Sequence, residues 1–299
     1  MKQLISDKEL INELENRFEN NRRTLSEQLS LMAELKSVNE KLIASEGLKS
    51  NFLSNIRNEI NNPIASILEL AKNISEENME PEKMQKFAAL IHNEAFSLDF
   101  QLRNIFASAE IEAGESIVSP VSVNINSIVS NVIASFRHLF EKKKIILSHI
   151  HSAQNGDRFC TDAEKLHLIL SNLISNAIQF TGAEGTVDVT SKIENRKLFI
   201  SIKDSGTGIS IEEQEIIFDR FRQLEEGSTK TYGGHGLGLT ITKALLDLAA
   251  GAIRVQSVKN DGSTFSVCMN ELENSDSQAD VFSSDGNDFL FADNESLAF

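Results

Sequence analysis

Cysteine, proline and long apolar runs are all scarce in this sequence, and each scarcity removes a class of protein. The two cysteines, Cys160 and Cys268, stand far apart and without metal-ligand spacing. That excludes a disulfide framework and predicts reduced thiols. No run of about 18 apolar residues occurs, so no membrane insertion is expected. The start of the sequence is polar and mixed in charge, which predicts no signal peptide. Together these readings predict a cytoplasmic protein. Basic residues are missing from residues 271–299, which carry Glu271, Glu273, Asp276, Asp280, Asp285, Asp288, Asp293 and Glu295. Those eight acids are more than half of the net charge of -15. Such a surface repels phosphate backbones, which argues against a nucleic-acid partner.

What is present is enough for real cores: 40% of the 299 residues are hydrophobic and 24% are charged. The length predicts about two domains. Residues 1–50 hold no proline and one glycine, Gly47, while Leu4, Ile11, Phe18, Leu25 and Met32 recur every seven residues. The phase then slips, and Leu35, Val38, Leu42 and Phe52 continue the seam. This pattern predicts a long coiled-coil helix with a stutter near residues 32–35. The helix runs on into FLSNIRNEINNPIASILELAKNI, where Pro63 predicts a kink. A polar turn over 75–83 and a second helix over 82–112 complete an antiparallel hairpin. Its apolar positions Phe87, Leu90, Ile91, Phe96, Leu98, Leu102 and Ile105 fit helical spacing. A hairpin alone cannot bury that stripe, so pairing with a second copy into a dimeric four-helix bundle is expected.

Gly114 ends the hairpin. From about residue 121 to 269 the pattern alternates, with helices expected over 126–143, 161–180, 211–218 and 236–248. Strands are expected over 145–149, 185–194, 197–203, 252–257 and 264–269. The fold class is therefore α+β: coiled coil, hairpin, then a two-layer α/β sandwich. The boundaries are 1–45 for the coiled-coil helix, 46–116 for the hairpin, 117–271 for the sandwich and 272–299 for the acidic tail. The tail reads as disordered, with Phe282, Phe289, Leu290, Phe291 and Phe299 as a candidate docking motif.

Three polar motifs lie in order within the sandwich. In NLISNAIQFT, Asn172, Asn176 and Gln179 fall at i, i+4 and i+7 and share one helix face. A row of amides on a core helix is costly unless it meets something polar, and a Mg2+-bound triphosphate would satisfy it. DSGTGI follows a strand. Its Gly206 and Gly208 permit a tight turn and close backbone approach to a ligand, and Asp204 can accept a hydrogen bond from an exocyclic amine such as that of adenine. YGGHGLGL brings Gly233, Gly234, Gly236 and Gly238 to a helix start, where backbone N–H groups and the helix dipole favour phosphate.

The set resembles the catalytic domain of sensor histidine kinases, a Bergerat-type (GHKL, HATPase) ATP-binding domain. The boxes are NLISNAIQFT, DSGTGI, FDRFRQ and GGHGLGLTI, and GSTFSV resembles the closing strand. The likeness continues upstream through IEAGE into the hairpin, which is similar to the HisKA type, and covers about residues 46–270. The resemblance implies ATP and Mg2+ as cofactors. Asn172 and Asn176 would face the phosphates, with Asn176 on Mg2+. Asp204, with Gly206 and Gly208 in its turn, would bind adenine, and Thr264 would help hold it. Gly234, Gly236 and Gly238 would frame the triphosphate. Gln179 departs from the family, where a lysine is common, and Arg220, Arg222 and Lys230 are candidates to supply the charge.

The larger departure lies in FLSNIRNEINNP, where the family's Ser-His pair is Arg57-Asn58. A neutral imidazole offers a free nitrogen lone pair. An amide delocalises its lone pair and is a poor nucleophile, so no phosphohistidine is expected at Asn58. Glu59, the family's general base, is retained. So is Asn62, at the position where the family positions water to dephosphorylate a response regulator. Among the histidines, His92, followed by Asn93 and Glu94, is the one candidate substitute acceptor, and an ordinary exposed helix residue is the favoured reading of it. Three readings stay open. One is a degenerate kinase that binds Mg-ATP and regulates a response regulator receiver domain by docking or as a phosphatase. The second is a pseudokinase scaffold. The third is a trans-acting kinase that phosphorylates another histidine kinase in a heterodimer. A homodimer through the hairpin and coiled coil is expected.

Overall fold

The computed structural model describes residues 7–75, 80–153, 156–219 and 237–273. The acidic tail read from 272 onward lies outside these residues apart from its first two positions. Two compact units divide the chain between Asn55 and Ile56. The first is helical and belongs to helix α1 (Asp7–Ile74). Along it Phe18, Leu25, Met32, Leu35 and Val38 are exposed, Phe18 at 74% and Met32 at 71%. Side chains of that size gain about 1.5–3 kcal/mol each when buried, and none of these five is covered within its own unit. No helix among the described residues is long and apolar enough to cross a membrane.

In the second unit, Pro63 is buried and lies inside α1 rather than ending it. Helix α2 (Pro81–Ala113) starts with proline in its first turn, where a missing N–H costs nothing. It stops at Gly114, whose φ of 70° is left-handed, and the Glu115 N–H closes the turn on the Glu110 carbonyl at 2.9 Å. The sandwich follows: β1 (Val121–Asn124), α3 (Ile125–Ser135), α4 (Arg137–Lys143), β2 (Ile146–Ala153), β3 (Arg158–Thr161) and α5 (Ala163–Phe180). Then come β4 (Thr186–Glu194), β5 (Lys197–Asp204), α6 (Ile211–Gln214), α7 (Gly238–Leu248), β6 (Ala252–Ser257) and β7 (Ser263–Asn270).

Five strands form one sheet in the order β2-β4-β5-β7-β6, parallel between β2 and β4 and antiparallel elsewhere. Alternate residues explain the layering. Val187, Val189 and Ile193 of β4, Leu198, Ile200 and Ile202 of β5, and Phe265, Val267 and Met269 of β7 are buried. The β5 side chains meet the apolar face of α5, where Leu166, Ile169, Leu170, Leu173 and Ile174 are fully or almost fully buried, and β4 packs against α3. β1 and β3 pair separately as an antiparallel two-stranded sheet.

Several local expectations change, among them the helix expected over 211–218, which spans only Ile211–Gln214. The helix expected over 126–143 is two helices broken at Phe136, whose ψ of 4° is not helical. The break aims its buried ring at α2, where it meets Phe96 edge-on at 5.2 Å and Phe100 at 5.7 Å. Thr161, expected to start a helix, ends β3 instead. The helix cap is Asp162, whose Oδ1 accepts the Lys165 N–H at 2.9 Å. Strands β1 and β3, four residues each, are too short for a period-2 pattern to reveal.

Candidate functional site

Helix α5 carries the first part of the site. Asn172 is buried (3% exposed), and Asn176 and Gln179 are half-buried. The Asn172 Nδ2 group is buried with no hydrogen-bond partner among the described residues. Such an orphan donor costs about 1–3 kcal/mol unless a ligand or water fills it. Opposite it stands the start of α7. A Cβ added at Gly238 would come 3.1 Å from Asn172 Oδ1, so glycine lets the helix start close on the amide. A buried donor facing a helix N-terminus suits an anionic group with its own cation. Gly234 and Gly236 lie outside the described residues, as do Arg220, Arg222 and Lys230.

The end of β5 builds the second part. Asp204 is 4% exposed. Its Oδ1 accepts the Gly206 N–H at 2.8 Å and the Ser263 N–H at 3.3 Å. Its other oxygen is left for a ligand donor. Burial raises the Asp204 pKa above the usual carboxylate value, and the two N–H donors pull it partly back. The turn that follows is locked to the β6–β7 hairpin. The Asn260 N–H donates to the Thr207 carbonyl at 2.7 Å, and the Ile209 N–H to Ser257 Oγ at 2.7 Å. Gly208 has φ +62°, and a Cβ there would sit 1.9 Å from the Val258 carbonyl oxygen. At Gly206 a Cβ would fall 2.5 Å from the Phe180 carbonyl oxygen. Both glycines are therefore required by close backbone approach as well as by the turn.

The register sets which face of the closing strand lies beside Asp204. Asp204 pairs with Ser263, and Thr264 pairs with Lys203 on the opposite face of the sheet. Because side chains alternate along a strand, the buried Ser263, and not Thr264, shares the Asp204 face. Its Oγ lies 3.0 Å from Ser257 Oγ. Sequence reasoning missed Ser263 because a Ser-Thr pair offers two hydroxyls of similar chemistry and only the strand register chooses between them. It also missed Lys143, which closes the C-terminal end of α5 from 35 residues away. Distance in sequence hid that contact.

Asn58 and Asn62 are exposed on α1 about one turn apart, and the neighbouring Arg57 is exposed as well. The side chain of Glu59 lies outside the described set. His92 is exposed on α2.

Comparison with known proteins adds to this geometry. Residues 161–273 match the family described as histidine kinase-, DNA gyrase B-, and HSP90-like ATPase. The chain is 30% identical over 239 residues to the circadian input-output histidine kinase CikA of Synechocystis sp., covering 77% of this chain and 32% of that protein. It is 31% identical over 240 residues to the hybrid signal transduction histidine kinase D of Dictyostelium discoideum, covering 78% of this chain and 15% of that protein. The chain thus spans about a third or less of these curated relatives. Among solved structures, full-length ShkA in complex with AMPPNP superposes with a TM-score of 0.53 at 22% identity, over 76% of this chain and 46% of that one, and shares its fold. The aligned stretches run well past the ATPase match, so the likeness to histidine kinases is not confined to that domain. Residues 161–273 therefore match the histidine kinase-, DNA gyrase B-, and HSP90-like ATPase family, in a chain that is similar over most of its length to histidine kinases.

Proposed function

We propose that this chain is a degenerate histidine kinase-like regulator that binds Mg-ATP and acts on a response regulator receiver domain without taking phosphate on its own hairpin. The observation that carries the reading is Asn58. It occupies the acceptor position of a FLSNIRNEINNP motif that departs from the family pattern only at Arg57 and Asn58, and it stands exposed on α1. An amide there can donate and accept hydrogen bonds but cannot act as the nucleophile. Asn62, exposed one turn further on, would orient water at a docked receiver domain, and Glu59 lies between them in sequence.

The residues present fit the nucleotide. Asp204 would accept from the adenine amine, with Gly206 and Gly208 shaping the turn and Ser263 bracing the carboxylate. The orphan Nδ2 of Asn172 and the α7 start at Gly238 would face phosphate, with Gly234 and Gly236 before it, and Asn176 would offer its amide oxygen to Mg2+. Bound ATP supplies a phosphoryl group for transfer. In this reading residues 46–116 form the hairpin, 117–271 the ATP-binding domain and 272–299 a separate acidic tail. The exposed seam of α1, assigned to 1–45, and the hairpin would pair with a second copy as a coiled coil and four-helix bundle.

The test is labelling with γ-labelled Mg-ATP on the wild type and on Asn58→His side by side. The expected result is acid-labile label on Asn58→His and none on the wild type. Label on the wild type overturns the reading and turns attention to His92. Label on neither, with ATP still bound, favours the scaffold and phosphatase readings. Label on a partner kinase mixed with the wild type favours a trans-acting kinase.

A further inference from the structure

Helices end with up to four carbonyls that lack an internal partner. At the end of α5 each of them can be accounted for. The Ala177 carbonyl accepts the Thr181 N–H at 3.1 Å and the Thr181 hydroxyl at 2.6 Å. The carbonyls of Ile178, Gln179 and Thr181 accept from Lys143 Nζ at 2.7, 2.9 and 3.0 Å. An ammonium group has three N–H donors, and three carbonyls converge on this one. The remaining carbonyl, that of Phe180, accepts the Thr207 N–H at 3.3 Å. The tie is doubled by the backbone, since the Lys143 carbonyl accepts the Glu184 N–H at 3.0 Å.

The consequence reaches the nucleotide side of the domain. The Phe180 peptide lies between two peptides held by Lys143, and its oxygen sets the Thr207 position. The same oxygen bounds Gly206, where a Cβ would come 2.5 Å from it. Gly206 in turn donates to Asp204 Oδ1 at 2.8 Å. Lys143, the end of α5, the Gly206–Thr207 turn and Asp204 are thus one hydrogen-bonded chain. A cation at a helix C-terminus also opposes the local negative end of the dipole. Charge-assisted bonds of this kind are about twice as strong as neutral ones.

We propose that Lys143 is a positioning residue for base selectivity: by fixing the last turn of α5 it holds the Gly206–Thr207 turn, and so Asp204, in register to read adenine. The inference rests on the nucleotide reading above. Asn172, Asn176 and Gly238 do not hang on the Lys143 contacts, so loss of the ammonium is expected to loosen base reading and spare phosphate binding. An adenine amine suits the Asp204 carboxylate, whereas a guanine carbonyl at the corresponding edge does not. Selectivity for ATP over GTP is therefore the quantity that Lys143 controls.

The experiment is calorimetric titration of the full chain with Mg-ATP and with Mg-GTP, on the wild type, Lys143→Met and Lys143→Arg. Far-ultraviolet circular dichroism and thermal melts run alongside to establish folding. The wild type is expected to prefer ATP. Lys143→Met is expected to lose about tenfold in ATP affinity with little change for GTP, as when one strong hydrogen bond is lost. Lys143→Arg, which keeps the charge and several N–H donors, is expected to restore most of the preference. A purely structural role would lower the melting temperature and weaken both nucleotides in parallel, and that result overturns the proposal. So does an unchanged ATP-to-GTP ratio in folded Lys143→Met. Should that variant not fold, Lys143→Gln, with two donors, is read by the same ratio. A wild type that binds neither nucleotide removes the underlying reading as well, which separates the two failures.

Discussion

Asp204 joins two demands that conflict. Its carboxylate is buried, which raises its pKa, yet the proposed role needs the ionised form to accept from adenine. A carboxyl with a higher pKa folded than unfolded holds its proton more tightly in the fold. Stability on this account is greatest in acid and falls as pH rises from the ordinary carboxylate range through the raised folded value. Asp204→Asn removes that slope and keeps an oxygen for the Gly206 and Ser263 N–H groups. Its melting temperature at neutral pH is expected to match or exceed that of the wild type, while ATP affinity falls at least about tenfold. Melts from pH 4 to 8 and a binding titration check both halves. At Asn58 the chemistry is legible without coordinates, because an amide is not a nucleophile in any fold. The choice between Ser263 and Thr264 is not, because it depends on which face of β7 meets Asp204.

Among the elements, the turn between β5 and α6 is tightly enclosed. It is held on one side by the end of α5 and on the other by the β6–β7 hairpin, and Gly208 touches the hairpin backbone. Gly208→Ala adds a methyl group 1.9 Å from a carbonyl oxygen at a positive φ. It is expected to cost about 3 kcal/mol, from overpacking and backbone strain together. Gly182→Ala is the control, since nothing lies within 4 Å of its added Cβ; a change of less than about 0.5 kcal/mol is expected. Urea unfolding of the two variants measures the difference. The sequence showed five strands of the main sheet and the helix of the amide row through their periods. It concealed the break at Phe136, because an apolar residue in a helical pattern carries no sign of the ring contacts with Phe96 and Phe100 that accompany the break.

Across the whole molecule, two predictions concern how apolar and titratable surfaces are covered. The seam of α1 leaves Phe18, Leu25 and Met32 exposed in its own unit, and the proposed second copy would cover it. Replacing Leu25 and Met32 with Asp places charge on that seam and is expected to shift the protein toward monomer in sedimentation velocity. A dimer of undiminished strength would move the interface elsewhere. The second prediction concerns His167 of α5. Burial, with a further push from Arg103 and an opposing pull from Asp99, lowers its pKa from 6.5 to about 4. The unfolded chain therefore takes up a proton near pH 6.5 and the fold resists it. Stability is full above that pH and is lost as pH falls toward about 4, by at most about 3 kcal/mol. His167→Leu is expected to flatten the melting temperature between pH 6.5 and 4.

The sequence by itself determined the three polar motifs, their order, the long first helix and the amide at position 58. Each of these is written in residue chemistry or in a local period of seven, 3.6 or two. Only the tertiary structure decided which hydroxyl stands beside Asp204, where helix 126–143 breaks and what holds the end of α5. Lys143 and Gln179 are 36 residues apart, and β5 and β7 are separated by about 60 residues. Contacts across such distances are selected by the packing of α5 on the sheet and by strand register, and neither leaves a repeat in the chain for a local reading to detect.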